Sequence, residues 1–456
     1  MEASEASVSK NKTDQSAFAS SVVAEARAAL ETTGSLDAPS VLEALLAAEK
    51  KCRLSNDAYA ARTVTSCIVS MCRELKEWDR LNSMLTLLSK RRSQSKVVIT
   101  ALLEEGISLL ETTEPVAELA DEGAREKLLV TLSEITEGKM YCEGERAKIT
   151  RMLSALKEAR GDVSGAADVL QTVNAETYGS LSKRQKVDFI LEQVRLMLAK
   201  GDRIRAYIIS KKVQRKTLED DELEDLKIRF YRLMIEYHAR EGDEAPFDLA
   251  QHYWAIYKTK CVSEDPTQWR DALSSCAIFL VLSDYSPAVS DMTHRVLASE
   301  KQKLAECPPG ISKALELFVR REIIAYPLSD QDAIENHAAL GTAGPQVRAA
   351  WKELLHTRVV QHNIRIVSTY YRQIRVPRLA QLLGLTEDDA ERHVSHMVSN
   401  SGLYCKIDRP AGIARFAKPK PPEEVLSDWA ADISKMLNLV EMTCHLINKE
   451  MMIHKL

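Results

Sequence analysis

The dipeptide Gly-Asp recurs at Gly161-Asp162, Gly201-Asp202 and Gly242-Asp243, roughly forty residues apart each time. Each copy follows one apolar helical pattern and precedes another. The upstream patterns are Ile149, Leu153 and Leu156; Leu191, Val194 and Leu198; and Phe230, Leu233 and Ile235. The downstream ones are Ala166, Ala167 and Leu170; Ala206, Ile208 and Ile209; and Leu249, Tyr253 and Ile256. Small alanines allow close helix approach. Lys76-Glu-Trp-Asp79 fills a similar slot about two periods upstream of Asp162. No such helix pair can bury its apolar face alone, so neighbouring pairs must stack and close one another's core.

Composition agrees with a chain that is helical nearly throughout. In 456 residues there are 16 glycines and 14 prolines, 28% of residues are charged and 5% are aromatic. Such a mix favours helix, and the length calls for two or three structural units or one extended array. The first 17 residues are polar and read as a disordered tail. Helices are expected over Ser20–Leu30, Ala38–Leu54 and Asp57–Leu75, and later over Trp269–Leu282 and Ala314–Tyr326, with a break at Cys307-Pro-Pro-Gly310. Asp330–Gly344 reads as one short helix plus loop before the entry Gly341-Thr-Ala-Gly-Pro345. A helical-repeat solenoid is thus expected over 18–345.

The periodicity changes character over 346–417. A long helix carries Trp351, Leu355, Val359, Ile366 and Tyr370 beside Val360, Ile364, Val367, Tyr371 and Ile374. At about 100° per residue these stripes merge into a face covering roughly half the circumference, which predicts burial between two bodies. Asn363 falls inside that face and needs partners, so it is read as a structural residue tying the helix to the adjacent fold. Pro377 then opens a helix burying Leu379, Leu382 and Leu383, Gly384-Leu385 turns, and Thr386 caps the next helix with Asp389 three residues on. That helix buries Ala390, Val394, Met397 and Val398 and stops at Asn400-Ser-Gly402, where Gly402 suits a left-handed backbone. Leu403 to Asp408 alternates, Arg409-Pro-Ala-Gly412 turns, with Gly412 in a structural role, and Ile413 to Phe416 returns. Helix, turn, helix and a two-stranded wing make a winged helix. Tyr404, Lys406 and Asp408 share the face opposite Leu403, Cys405 and Ile407.

Segment 418–456 begins with the stiff spacer Lys418-Pro-Lys-Pro-Pro422. A last helix follows, with apolar residues Leu426, Trp429, Ile433, Met436, Val440, Cys444, Ile447 and Met451 at steps close to a heptad seam. Set apart by prolines, it is a candidate for packing on other chains.

Chemistry-bearing patterns are sparse. There is no Gly-x4-Gly-Lys-Ser/Thr, Gly-x-Gly-x-x-Gly, His-Glu-x-x-His or Gly-x-Ser-x-Gly, and no cofactor site or catalytic constellation is expected. His393 and His396 share a helix without an evident third ligand and read as surface residues. The nine cysteines are scattered with no Cys-x-x-Cys, which fits reduced thiols in a cytoplasmic or nuclear protein. The longest apolar run, Cys276–Leu282, is too short to cross a bilayer, and no secretory signal is read at Met1-Glu-Ala-Ser-Glu. The net charge of −4 gives no general pull toward nucleic acid. The would-be recognition helix starts Thr386-Glu-Asp-Asp-Ala-Glu-Arg392, and its acids would face a polyanion. Basic residues do occur at Arg372, Arg375, Arg378, Lys406, Arg409 and Arg415. The acidic helix start therefore carries the argument against nucleic acid as the main partner.

A helical-repeat array ending in a winged helix resembles the PCI-domain proteins shared by the proteasome lid, the signalosome and a translation initiation scaffold. Local stretches are similar to the PCI lid subunits of the 26S proteasome regulatory particle: Leu87-Leu-Ser-Lys-Arg-Arg-Ser93, Glu137-Gly-Lys139, Glu176-Thr-Tyr-Gly-Ser180, Phe189-Ile-Leu-Glu-Gln193 and Ile208-Ile-Ser-Lys-Lys212. They continue with His362-Asn-Ile-Arg-Ile366, Asp408-Arg-Pro-Ala-Gly-Ile413, Asp428-Trp429 and Met452-Ile-His454. The likeness runs from about residue 40 to the end, except over Ser286–Gln346. It implies a mainly α chain, a right-handed TPR-like solenoid with a PCI winged helix and a C-terminal bundle helix. It implies a non-catalytic scaffold, since the His-x-His and Asp metal set of the neighbouring deubiquitinase is missing. The implied partners are other PCI lid subunits through the winged-helix edge at Tyr404, Lys406, Asp408 and Arg409 and through the terminal helix, and the deubiquitinase, ATPase ring and core particle through the solenoid. Membranes are not among them. A signalosome or initiation-factor subunit is the alternative.

Overall fold

Gly161 and Gly201 both take left-handed backbones, with φ of 85° and 88°. The conformation costs an L side chain about 1–2 kcal/mol and glycine almost nothing. At both sites the next N–H reaches back five residues, Asp162 to the Lys157 carbonyl at 3.1 Å and Asp202 to the Met197 carbonyl at 3.0 Å. The aspartate then caps the following helix. Asp162 accepts from the Gly165 N–H at 2.9 Å, and Asp202 from the Arg205 N–H at 3.2 Å. Glycine stops one helix and aspartate starts the next, so the dipeptide is a complete joint. Asn56-Asp57 is a further copy with asparagine in the glycine place: Asn56 has φ of 55°, and Asp57 accepts from the Ala60 N–H. At the Lys76-Glu-Trp-Asp79 slot, Glu77 occupies the cap position without a side-chain cap bond.

The computed structural model describes residues 15–33, 39–75, 77–111, 122–239, 246–328, 330–341, 345–400 and 403–454. Lys76, Gly242-Asp243 and Gly402 lie outside the described residues, as do 1–14 of the expected tail. The first helix begins at Ser16, inside the span expected to be a tail, and the Gln15 N–H donates to Asp57. Contacts divide the chain into units Met1–Leu233 and Met234–Leu456, a boundary that falls within the expected 18–345 array.

The first unit is a succession of helix pairs. Ser16–Thr33, Pro39–Leu54 and Ala58–Glu74 follow the expected limits closely. Trp78–Lys90 buries Leu81, Leu85 and Leu88, one face at helical spacing. Further along, Ala166 and Ala167 are fully buried where Glu143–Ala159 and Val163–Gln171 pack together. Gln193, buried on Lys183–Lys200, donates to the Leu170 and Val173 carbonyls at 2.7 and 2.9 Å, satisfying a helix end that would otherwise be orphaned. Ile208, expected in the core, is exposed, while its neighbours Ala206 and Ile209 are buried.

In the second unit the helix Pro266–Leu282 is buried at every residue from Ala272 to Leu282, as a helix apolar on all sides must be. Phe279 stacks near Tyr253 at 5.6 Å and meets Trp351 edge-on at 5.7 Å. The long helix is Pro345–Tyr370, and Trp351, Leu355, Val359, Val360, Ile364 and Val367 are buried on it. It touches Pro266–Leu282 on one side and the winged-helix core on the other, as its broad apolar face requires. Two details correct the expected stripes. Tyr370 and Tyr371 are 66% and 43% exposed, and Ile374 is buried from a strand, not from this helix. The helix expected over Ala314–Tyr326 is Pro309–Val319, ending where Arg320 turns extended. Asp330–Gly344 contributes two short helices, Gln331–Glu335 and Ala338–Gly341.

Among the described residues the expected two-stranded wing forms, and a third short strand joins it. β1 (Gln373–Arg375) and β2 (Lys406–Asp408) both pair antiparallel with the central β3 (Ile413–Arg415), aligning Ile374, Ala414 and Ile407. Between them lie helices Val376–Leu383 and Glu387–Asn400. Leu379, Leu383, Ala390, Val394, Met397, Ala414 and Phe416 close the core with Val360, Ile364 and Val367. Val398, expected inside, is exposed.

Candidate interaction surfaces

The terminal helix spans Pro422–His454, and none of its described residues is buried. Proline at its start, Glu423 and Glu424 in the first turn and His454 in the last suit the helix ends. Leu426, Trp429, Met436 and Val440 are 57–67% exposed, and Ile433 and Ile447 are 43% and 54% exposed. Leu439, Met442, Leu446 and Ile453 form a second exposed row, about 130° round the helix from the first at about 100° per residue. The sequence spacing carries that row too, but a single best seam hides it. Exposed apolar surface is worth about 25 cal/mol per Å² once covered, so a helix apolar on two sides gains from neighbours on both.

One edge of the sheet is β2, which among the described residues pairs only with the central β3; β1 is the other edge. Lys406 and Arg409 are exposed, while Tyr404 and Asp408 are half-buried. Arg409 is tied back to Glu391 at 2.6 Å, and Asp408 accepts from the Ala411 N–H at 3.3 Å. A groove of about 760 Å³ runs between β2 and the helix Glu387–Asn400, lined by Val394, Val398 and Ile407 among others. Gly412, at φ 61°, sets the turn: its N–H donates to the Arg409 carbonyl and its own carbonyl accepts from the Val376 N–H at 2.8 Å. Thr386 accepts from the Asp389 N–H and donates to the Asp389 carboxylate at 2.7 Å, which fixes the acidic start of the second helix.

Asn363 is 3% exposed and bonds Ile324 on a neighbouring segment. His396 meets Asn400 at 3.0 Å, and burial pulls His393 below the ordinary histidine range. Among the described residues no group of three or more His, Cys, Asp or Glu could hold a metal ion. Burial raises the Cys72 thiol to about 11, and Cys52, Cys67, Cys142 and Cys307 shift the same way for the same reason. Thiols so placed are poor nucleophiles. No described helix is long and apolar enough to cross a membrane.

Comparison with known proteins gives three family matches. The model described as PSMD12/CSN4, N-terminal, matches residues 40–265, the PCI domain matches 341–418, and the 26S proteasome regulatory subunit RPN5 C-terminal domain matches 423–455. The chain is 37% identical to the 26S proteasome non-ATPase regulatory subunit 12 of Dictyostelium discoideum, over 91% of this chain and 90% of the relative. It is 34% identical to the 26S proteasome regulatory subunit RPN5 of Saccharomyces cerevisiae, over 92% of this chain and 93% of that one. The homolog B of subunit 12 in Arabidopsis thaliana is 35% identical, over 91% and 97%.

Proposed function

Because the chain belongs to the family of 26S proteasome non-ATPase regulatory subunit 12, or RPN5, we propose that it is a non-catalytic scaffold of the proteasome lid. Its work is positional: it holds neighbouring subunits so that ubiquitin-marked proteins are processed and degraded. The terminal helix carries this reading. Residues 423–455 match the RPN5 C-terminal domain, and the helix there keeps no side chain buried for itself. Two separate apolar rows support a seat inside a bundle of several helices, with Leu426, Trp429, Ile433, Met436, Val440 and Ile447 facing one set of neighbours.

The winged helix is proposed to meet other PCI subunits along β2, through Tyr404, Lys406, Asp408 and Arg409. A strand with one unpaired edge invites such pairing. The helical pairs of 18–345 are proposed to reach the deubiquitinase, the ATPase ring and the core particle. Segment 346–417 then serves as the PCI module, 418–456 as spacer and bundle helix, and the cytoplasm and nucleus as the setting. The N-terminal match is shared with a signalosome subunit, but the C-terminal match and the relatives favour the proteasome.

The test is incorporation. Trp429→Asp or Val440→Asp, expressed as the full chain in cells, should leave a folded monomer that stays out of the large assembly. Normal incorporation of both variants would overturn the bundle role. Copurification of the native chain with proteasomal ATPases is expected; ribosomal proteins or signalosome subunits in their place would overturn the lid reading.

A further inference from the structure

A cleft of about 360 Å³ in the second unit is lined by Arg320, Arg321, Arg358, Arg365, His294 and His362, and by no aspartate or glutamate. Two of these arginines are already engaged. Arg358 pairs with Asp284 at 2.9 Å and donates to the Leu282 carbonyl, and Arg320 pairs with Glu316 at 3.3 Å. Arg321 and Arg365 have no carboxylate partner among the described residues; Arg365 lies over the Tyr285 ring at 3.7 Å. Burial pulls Arg365 below its ordinary range, and the nearby Asp284 charge, already paired with Arg358, offsets that only in part. An incoming anion would offset the rest.

The floor narrows the class of anion. Leu280, Val289 and Leu315 line the same cleft and are buried. A phosphate group would leave some of its oxygens over hydrocarbon. Carboxylates flanking an apolar side chain would satisfy both parts, with the guanidinium forks matching carboxylate geometry. The cleft also continues. Arg321 and Ile366 line a second hollow of about 340 Å³ with Ile323, Tyr370 and Tyr371. There Tyr370 is 66% and Ile323 44% exposed, apolar surface that none of the described residues covers. Two hollows in series suit an extended strand of peptide better than a compact ion.

We propose that this cleft binds an acidic peptide segment of a partner protein, with carboxylates on Arg321 and Arg365 and an apolar side chain on the Leu280–Leu315 floor. The site is separate from β2 and the terminal helix, and it stands whichever assembly the chain joins.

The test uses the full chain and a fluorescein-labelled peptide of four glutamates around a central leucine, read by fluorescence anisotropy at low salt. Saturable binding is expected, with no binding of the same peptide built with glutamines. Arg321→Glu, on the exposed rim, should weaken binding about tenfold or more. Arg365→Glu should abolish it. Arg378→Glu, an equal charge change on an exposed residue of the winged helix, should leave it unchanged. If Arg365→Glu does not fold by circular dichroism, Arg321→Glu alone decides. Absent binding, equal loss in Arg378→Glu, unaltered binding in Arg321→Glu, or full displacement by equimolar pyrophosphate would each overturn the proposal.

Discussion

Asn363 holds both backbone polar groups of Ile324. The Ile324 N–H donates to Asn363 Oδ1 at 2.8 Å, and Asn363 Nδ2 donates to the Ile324 carbonyl at 2.8 Å. The side-chain amide thus imitates a neighbouring strand. The segment it holds follows Pro309–Val319, where the chain has left helical geometry and its backbone groups have no helical partners. One amide on the long helix, 3% exposed, satisfies what the loop cannot satisfy itself.

Replacing Asn363 by leucine should therefore cost more than a lost surface bond. It leaves a buried donor and a buried acceptor unpaired, about 1–3 kcal/mol for each. A fall in urea midpoint with unchanged slope is expected for the full chain. Asn363→Asp should cost at least as much, because the carboxylate cannot donate to the Ile324 carbonyl. A variant as stable as the parent would show that water takes over both bonds.

Helix joints separate two kinds of cost. Gly201→Ala puts a Cβ at φ 88°, with nothing within 4 Å of it, so the penalty is conformational alone, about 1–2 kcal/mol. Asp202→Ala removes the cap on Arg205 N–H together with a half-exposed pair to the Arg205 guanidinium, and should cost about 1 kcal/mol. Gly201→Asn should recover part of the first loss, since Asn56 holds the same conformation at φ 55°. Equal stability of Gly201→Ala and Gly201→Asn, by thermal melting, would show that handedness is not what glycine supplies.

Much of this was legible in residue order because it is local. A glycine stop and an aspartate cap declare themselves within five residues, and the winged helix within seventy. Asn56-Asp57 escaped because asparagine stood in for glycine. β1 escaped because three residues are too few for a period-two pattern, and Ile374 continues the helical stripe by coincidence of spacing. Ile323 and Ile324 likewise prolong the apolar rhythm past Val319, although the chain there is no longer helical and is held by a residue nearly forty positions away. Periodicity also marks an apolar face without saying where its cover ends, hence the exposed Tyr370 and Tyr371. The candidate interface on the terminal helix was readable as one seam; the second row needed the full helix and its solvent exposure.

Acid should loosen the second unit before it reaches the carboxylates. Burial lowers His337, His362 and His393 below the ordinary value of 6.5. His362 sits against the Phe318 ring, with the Glu322 carbonyl at 3.3 Å and the Arg365 charge nearby. Above pH ~6.5 both states are neutral and the histidines contribute nothing to the pH dependence. As pH falls through that value the unfolded chain takes protons first, so stability drops until the folded pKa values are passed. Glu158, Glu192 and Glu335 are lowered by their arginine and lysine partners, and their losses begin only near the ordinary 4.5. Melting temperatures between pH 7.5 and 5.5 should therefore fall, and His362→Gln should flatten the slope. An unchanged slope would mean His362 is protonated without cost.

The two rows of the terminal helix make different demands on its surroundings. If it sat in a two-stranded coil, only the row through Trp429 and Val440 would be covered, and the second row would stay wet. Leu446→Asp would then be harmless. In a bundle with neighbours on both sides, Leu439, Met442 and Leu446 are covered as well, and a buried unpaired carboxylate is among the costlier substitutions. Leu446→Asp is therefore expected to block incorporation as fully as Val440→Asp. Lys435→Ala, which removes only an exposed pair with Asp432, should incorporate normally. Sizing of cell extracts with each variant, with the chain followed by immunoblot, reads the difference directly. Normal assembly of Leu446→Asp beside failed assembly of Val440→Asp would reduce the bundle to a single seam.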